Sequence, residues 1–200
     1  MVSNYVEKEI KLRINDLGLL INKLTTEKAV FIGKALQRTV RFDNQENSLE
    51  SNGTFLRVRS GFENVITVKR KVKDDSGDVF KREEFETRVD DIEMIRKMLN
   101  ALGFNREYVM EKYRMEWELD GVNISIDELP FGFFVEIEGE EKKIFEVAQK
   151  LNLDVNERII VTYWDIFAEY KKEYDLIGEN IEFERDHKSV IDKIFIPVDK

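Results

Sequence analysis

Carboxylates and basic side chains occupy alternate positions in seven stretches of this chain: Glu7, Glu9 and Lys11; Arg57 and Arg59; Lys69 and Lys71, after Thr67; Glu84 and Glu86; Lys112, Arg114, Glu116 and Glu118; Asp127, after Ser125; and Glu136 and Glu138. The positions between and beside them are apolar, among them Leu56, Val58, Ile66, Val68, Phe85, Tyr113, Met115, Trp117, Ile124, Ile126, Val135 and Ile137. Clustered carboxylates suit a divalent cation such as Mg²⁺, which prefers oxygen ligands and needs neither His nor Cys. Clustered Arg and Lys suit phosphates, because a guanidinium fork matches phosphate oxygens and an ammonium neutralises them as a point charge. Together the two sets read as metal plus polyphosphate.

Alternation with a period of two is the mark of a half-buried strand. In Tyr5–Ile14 it sets Val6, Ile10, Leu12 and Ile14 against Glu7, Glu9, Lys11 and Arg13. The same pattern predicts strands at about Leu36–Asp43, Thr54–Ser60, Val65–Val72, Val79–Val89, Tyr108–Leu119, Val122–Glu128 and Phe133–Gly139, eight in all and enough to close a barrel. Turn chemistry at Gly61-Phe62-Glu63-Asn64, Asp74-Asp75-Ser76-Gly77, Asp120-Gly121 and Pro130-Phe131-Gly132 predicts antiparallel hairpins. Helical patterns fall at about Asp16–Leu24, Asp90–Leu102, Glu140–Leu151 and Tyr163–Tyr174, the second with Ile92, Ile95, Met98, Leu99 and Leu102 on one apolar face. Asp90 or Asp91 can cap that helix and Gly103 can end it. The expected fold class is α+β, an eight-stranded antiparallel β-barrel with helices packed outside. One domain over residues 1–175 is expected, with 176–200 as a partly docked C-terminal extension.

On any single strand the charged side is simply the wet side of an antiparallel sheet. Closing the sheet with helices outside changes this, because the apolar face must then meet the helices and the charged face must line a tunnel. Buried charges without partners are costly, so a tunnel holding both signs makes sense chiefly as host to ions and a charged substrate.

Composition narrows the partners. Across 200 residues, 32 Lys and Arg against 41 Asp and Glu give a net charge of −9, which opposes nucleic-acid binding. The absence of cysteine removes disulfides, thiolate metal sites and thiol nucleophiles. Runs such as Ala29–Ile32 and Ile159–Val161 are far too short to span a membrane. No signal-peptide pattern opens the chain. A cytoplasmic protein with no nucleic-acid or membrane partner is expected; whether it forms a homodimer stays open.

Glu7-Lys8-Glu9-Ile10-Lys11 resembles the Glu-x-Glu-x-Lys signature of the CYTH superfamily, the triphosphate tunnel metalloenzymes. The resemblance continues in order through Gln37, Phe42-Asp43, Leu56-Arg57-Val58-Arg59, Thr67-Val68-Lys69, Arg82-Glu83-Glu84-Phe85-Glu86, Leu102-Gly103-Phe104, Lys112-Tyr113-Arg114, Ile126-Asp127-Glu128 and Gly132-Phe133-Phe134-Val135-Glu136-Ile137-Glu138, about residues 5–165. It implies that Glu7, Glu9, Glu136 and Glu138 hold Mg²⁺ or Mn²⁺, with Asp127 completing the acidic side and counted among the metal ligands. It also implies that Lys11, Arg57, Arg59, Lys69, Lys112 and Arg114 grip the triphosphate of a small-molecule substrate. Glu84 and Glu86 complete the acidic lining; which of them points inward depends on register.

Two nucleophiles separate the subfamilies that the chain resembles. Attack by water gives a triphosphatase acting on tripolyphosphate or an organic triphosphate such as thiamine triphosphate or a nucleotide. Attack by the ribose 3′-hydroxyl on the α-phosphorus of ATP gives a class IV adenylate cyclase, which yields cyclic AMP and pyrophosphate. Hydrolysis is favoured narrowly, and a non-catalytic triphosphate-binding module is the alternative from another class. The chain lacks the His-Phe-x-x-Arg-Pro-His element of many cyclase-type members. Its one histidine, His187, is expected in solvent, so no general base is assigned. Trp117, Trp164, Phe131, Phe133 and Phe134 read as packing residues, and Lys171 and Lys172 as a solvated helix face.

Overall fold

Period-two alternation becomes eight strands: β1 (Tyr5–Ile14), β2 (Val30–Asp43), β3 (Thr54–Ser60), β4 (Val65–Lys71), β5 (Phe80–Arg88), β6 (Arg106–Leu119), β7 (Val122–Leu129) and β8 (Gly132–Glu138). The computed structural model describes residues 5–72, 78–194 and 196. The strands pair antiparallel in the order β1-β5-β4-β3-β2-β6-β7-β8, and β8 returns to β1, so the sheet closes in a ring. The expected Asp74–Gly77 turn lies outside the described residues. The Asp120-Gly121 hairpin has φ of 53° and 78°, the paired positive values that match strand twist. Gly132 turns the β7–β8 hairpin at φ 137°, where a Cβ would meet Arg13 Nη1 at 2.8 Å.

One boundary differs from expectation. β2 starts at Val30 rather than Leu36, because Val30–Ala35 pairs with the far half of β6. Its register shifts between Phe31 and Gly33, and that irregularity erases the alternation a sequence reading needs.

The helices are α1 (Leu17–Thr26), α2 (Ser48–Ser51), α3 (Ile92–Ala101), α4 (Glu141–Lys150), α5 (Tyr163–Tyr174) and α6 (Val190–Lys193). Asp16 and Asp91 cap α1 and α3, accepting from the N–H groups of Leu19 and Met94 at 2.8 and 2.9 Å. None of the described helices is long and apolar enough to cross a membrane. The main core lies outside the ring: Ile10, Leu12, Ile124, Ile126, Val135 and Ile137 on the wall meet Leu20 and Leu24 of α1, Ile144, Val147 and Ala148 of α4, and Ile191 of α6. Burying each such Ile or Leu contributes roughly 1.5–3 kcal/mol. On the opposite side Leu99 of α3 packs with Val40, Phe42, Leu56 and Val58. Met98 and Leu102, expected on that apolar face, are 54% and 72% exposed, since the helix presents only the narrower Ile92, Ile95 and Leu99 edge to the wall. A third cluster of Met110, Leu129, Phe131, Phe134, Tyr163 and Ile181 packs under α5.

After α5 the chain runs back along the outer wall. Ile181 exchanges backbone bonds with Val109 and Glu111, and Lys34 Nζ donates to the carbonyls of Ile191, Asp192 and Ile194. Glu128, 3% exposed, anchors this segment. It is bonded to His187 Nε2 at 2.9 Å and accepts from Ser189 Oγ at 2.8 Å and from the N–H groups of Val190 and Ile191 at 3.1 and 2.9 Å. Burial pushes the Glu128 carboxyl up, but these donors outweigh it and hold the group below the usual carboxylate range. His187 is exposed, as expected, but it is also bonded to Glu128 and its ring stacks on Phe183, 4.2 Å between centroids.

Glu128→Ala leaves those donors facing an apolar methyl. A loss of about 3 kcal/mol is expected, lowering Tm by roughly 10 °C, with new protease cleavage between residues 176 and 189. Thermal melting and limited proteolysis check both.

Candidate active site

In an antiparallel ladder, directly paired residues share a face, so register decides what lines the ring. Glu9 pairs with Glu138, Lys11 with Glu136, Arg114 with Asp127, Arg57 with Thr67, Thr67 with Glu86 and Lys69 with Glu84. These ladders turn one charged face inward around a cavity of about 690 Å³. Glu7, Glu9, Lys11, Arg57, Arg59, Lys69, Glu84, Glu86, Lys112, Arg114, Glu116, Glu136 and Glu138 all line it. Glu84 and Glu86 both point inward. Lys71 and Glu118, on the same alternation, are not among the lining residues and are exposed.

The two signs interdigitate. Lys11 Nζ lies 3.0 Å from Glu136 and 3.5 Å from Glu9. Lys69 bridges Glu7 and Glu84, the latter at 3.3 Å. Arg57 sits 3.6 and 3.7 Å from Glu84 and Glu86, and Arg59 3.4 Å from Glu86. Thr67 Oγ1 accepts from Arg57 Nε at 3.2 Å and donates to Glu86 at 2.7 Å. Arg114 reaches both Asp127 and Glu136.

Asp127 corrects one expectation. Counted with the metal ligands on the family resemblance, it does not line the cavity and is fully buried. It accepts from Arg114 Nε and Nη2 at 2.7 and 2.6 Å, from Lys112 Nζ at 3.0 Å and from the Tyr163 hydroxyl at 2.8 Å. With both oxygens engaged, Asp127 positions cations rather than offering a free ligand. Burial raises its carboxyl pKa, but Arg114 and Lys112 overcome that and hold it low. Sequence reasoning assigned no role to Tyr163. A tyrosine at the first position of a helix carries no period-two signal, yet its ring also lies under Lys11 Nζ, 4.5 Å to the centroid. Trp164, read as packing, lines the cavity. Lys171 turns away and donates to the Gly178 carbonyl at 2.6 Å.

The wall is electrostatically uneven. Burial, then the charges of Glu7 and Glu9, pushes Glu138 up to about 7. Burial and Glu136 likewise raise Glu9. Glu136 goes the other way: Lys11, Lys112 and Arg114 outweigh its burial and hold it well below the usual range. Burial and the Arg114 charge pull Lys112 down to about 8, and burial with Arg57 and Arg114 lowers Arg59 to about 10. Glu7, Glu9 and Glu138 thus crowd together as carboxylates that repel one another, while Arg57, Arg59, Arg114 and Lys112 crowd together as cations with Glu84, Glu86 and Glu136 set among them.

A ring of eight antiparallel strands with such an interior defines a class of protein, and comparison agrees. The CYTH domain matches residues 6–163, and the chain belongs to the CYTH family. The protein named "Putative adenylate cyclase MJ0240" of Methanocaldococcus jannaschii is 28% identical over 147 residues, covering 72% of this chain and 81% of its own. A Vibrio parahaemolyticus structure described as a "putative adenylate cyclase" superposes with a TM-score of 0.73 at 18% identity, over 83% of this chain and 99% of its own. A Pyrococcus furiosus "conserved hypothetical protein" gives 0.65 at 25% identity, over 78% and 97%. A Hippeastrum protein, a "putative adenylyl cyclase" described as having a dominant triphosphatase activity, gives 0.59 at 17% identity, over 82% and 96%.

The raised Glu138 makes a stability prediction. Its folded pKa of about 7 exceeds the ordinary value of 4.5, so the unfolded chain releases this proton first and stability falls as pH rises between those values. In metal-free protein, Glu138→Gln is expected to raise Tm by a few degrees at pH 8 and by little at pH 5, as read by melts at the two pH values.

Proposed function

We propose that this protein hydrolyses a triphosphate inside the charged tunnel in a divalent-metal-dependent reaction. The observation that carries this reading is the presence of both charge signs, at close quarters, on one enclosed face. Phosphate binding alone needs only the basic half. Glu7, Glu9 and Glu138, crowded enough to raise Glu138 and Glu9, are hard oxygen donors whose mutual repulsion a divalent cation would relieve. Among the described residues no three acidic or histidine groups form a closed metal-binding cluster, and Lys69 and Lys11 pair with Glu7 and Glu9. The chemistry of the donor set fits Mg²⁺ or Mn²⁺. Glu7, Glu9, Glu136 and Glu138 would hold it, and when bound it supplies charge neutralisation at the phosphate oxygens.

The remaining work falls to the chain's own side chains. Arg57, Arg59, Lys69, Lys112, Arg114 and Lys11 take the phosphate oxygens, exchanging carboxylate partners for substrate. Asp127 fixes the directions of Arg114 and Lys112, and the Tyr163 ring backs Lys11. Water attacks the terminal phosphorus, its bond to the bridging oxygen breaks, and orthophosphate leaves with the shortened diphosphate. The Hippeastrum protein of similar fold, with its described triphosphatase activity, supports this reading.

A second reading rests on the name of the archaeal relative: a ribose 3′-hydroxyl would attack the α-phosphorus of ATP and release pyrophosphate. Incubation with Mg²⁺ or Mn²⁺ and tripolyphosphate, ATP or thiamine triphosphate separates the two. Orthophosphate release is expected, whereas stoichiometric pyrophosphate and cyclic AMP would establish the cyclase instead. Arg57→Ala and Glu9→Gln are each expected to lower turnover roughly 10²–10³-fold.

A further inference from the structure

Arg41 belongs to no charged cluster read from the sequence, yet its register places it on the inner face. It pairs directly with Arg57 across β2 and β3, and with Tyr108 across β2 and β6. Two guanidinium groups directly opposite on one face repel each other unless anions intervene. Arg57 has Glu84 and Glu86. Arg41 lies over the rings of Tyr108, Trp164 and Phe55, at 4.3, 5.1 and 5.9 Å. Its Nη1 reaches Glu50 on α2 at 3.3 Å, and Glu50 is 55% exposed, so solvent screens that contact. Two buried donors here have no hydrogen-bond partner, Arg41 Nε and Trp164 Nε1. Phe55, Thr162, Tyr163 and Trp164 line the cavity at this end. Buried N–H groups without acceptors are costly, and the Arg41 guanidinium with its free Nε, lying against the cavity-lining Phe55 and Trp164, joins the Trp164 indole N–H in suiting an anionic oxygen that enters from the cavity.

We propose that Arg41 is a further phosphate-binding residue, which exchanges Glu50 for an oxygen of the substrate's terminal phosphate while Trp164 Nε1 donates a second bond. This rests on the triphosphate reading and adds a direction to it. The Arg41 guanidinium already lies against the Tyr108 and Trp164 rings, which themselves meet edge to face at 6.2 Å between centroids, so this end takes phosphate rather than a stacked organic ring. The organic group of an esterified triphosphate then leaves by the opposite end, past Glu116 and Asn123.

Calorimetric titration of tripolyphosphate at fixed Mg²⁺ into wild type, Glu50→Gln, Arg41→Gln and the double variant tests this. Glu50→Gln is expected to tighten binding severalfold, because Arg41 no longer leaves a carboxylate. Arg41→Gln is expected to weaken binding about tenfold, near 1.4 kcal/mol, and to abolish the Glu50→Gln effect. Thermal melting confirms folding; if Arg41→Gln fails to fold, the Glu50→Gln titration decides alone. Wild-type binding that both single variants leave within twofold overturns the proposal, making Arg41 a clamp for α2, while the triphosphate reading stands. A wild type that binds no tripolyphosphate overturns both.

Discussion

A closed sheet that turns its charged face inward must neutralise that face from within, and this constraint organises the rest of the protein. Moving an ion from water into a protein costs several kcal/mol, and a buried pair at best roughly recovers it. The inner network of Lys11, Lys69, Arg57, Arg114 and their carboxylates is therefore a poor source of stability. Stability comes instead from outside the ring, where α1, α4 and α6 bury Ile, Leu and Val against the other face of the same strands. The division of labour is sterically enforced by the pleat: each strand gives one face to packing and the other to charge.

Residues 127 and 128 show how the two faces are coupled. Asp127 points inward, beneath the cavity lining, and holds Arg114, Lys112 and Tyr163, while its neighbour Glu128 points out and holds the segment from His187 to Ile191. A single stretch of β7 thus fixes the orientation of three site residues and docks the C-terminal segment. Near the same end, Phe131, Phe134 and Tyr163 pack under α5 as an apolar cluster. The wall there is completed by the segment before α5, where Ile159 pairs with Lys11.

Most of this was legible because period two is a strong signal. Strands β1, β3, β4, β7 and β8 and the inward positions of Glu7, Glu9, Arg57, Arg59, Glu136 and Glu138 follow from alternation alone once the sheet closes. The failures have particular causes. The early half of β2 hides behind its bulge. Arg41 carries no such signal, because its companions on the inner face of β2, Ala35, Gln37 and Thr39, are uncharged and no cluster marks it. Asp127 shares a face with the other carboxylates, and only three-dimensional contacts reveal that its oxygens are already engaged. The docking of the charged stretch from His187 to Ile191 depends on one distant glutamate, a contact without local trace.

If the inner charges neutralise one another at rest, neither metal nor anion alone can bind without stranding its displaced partner. Metal and triphosphate should therefore bind cooperatively. The most direct test titrates tripolyphosphate by calorimetry with and without Mg²⁺, then Mg²⁺ with and without tripolyphosphate, each corrected for complex formation in solution. The account predicts that each ligand raises the affinity for the other by the same factor, tenfold or more, about 1.4 kcal/mol of coupling. Independent binding of the two would contradict it.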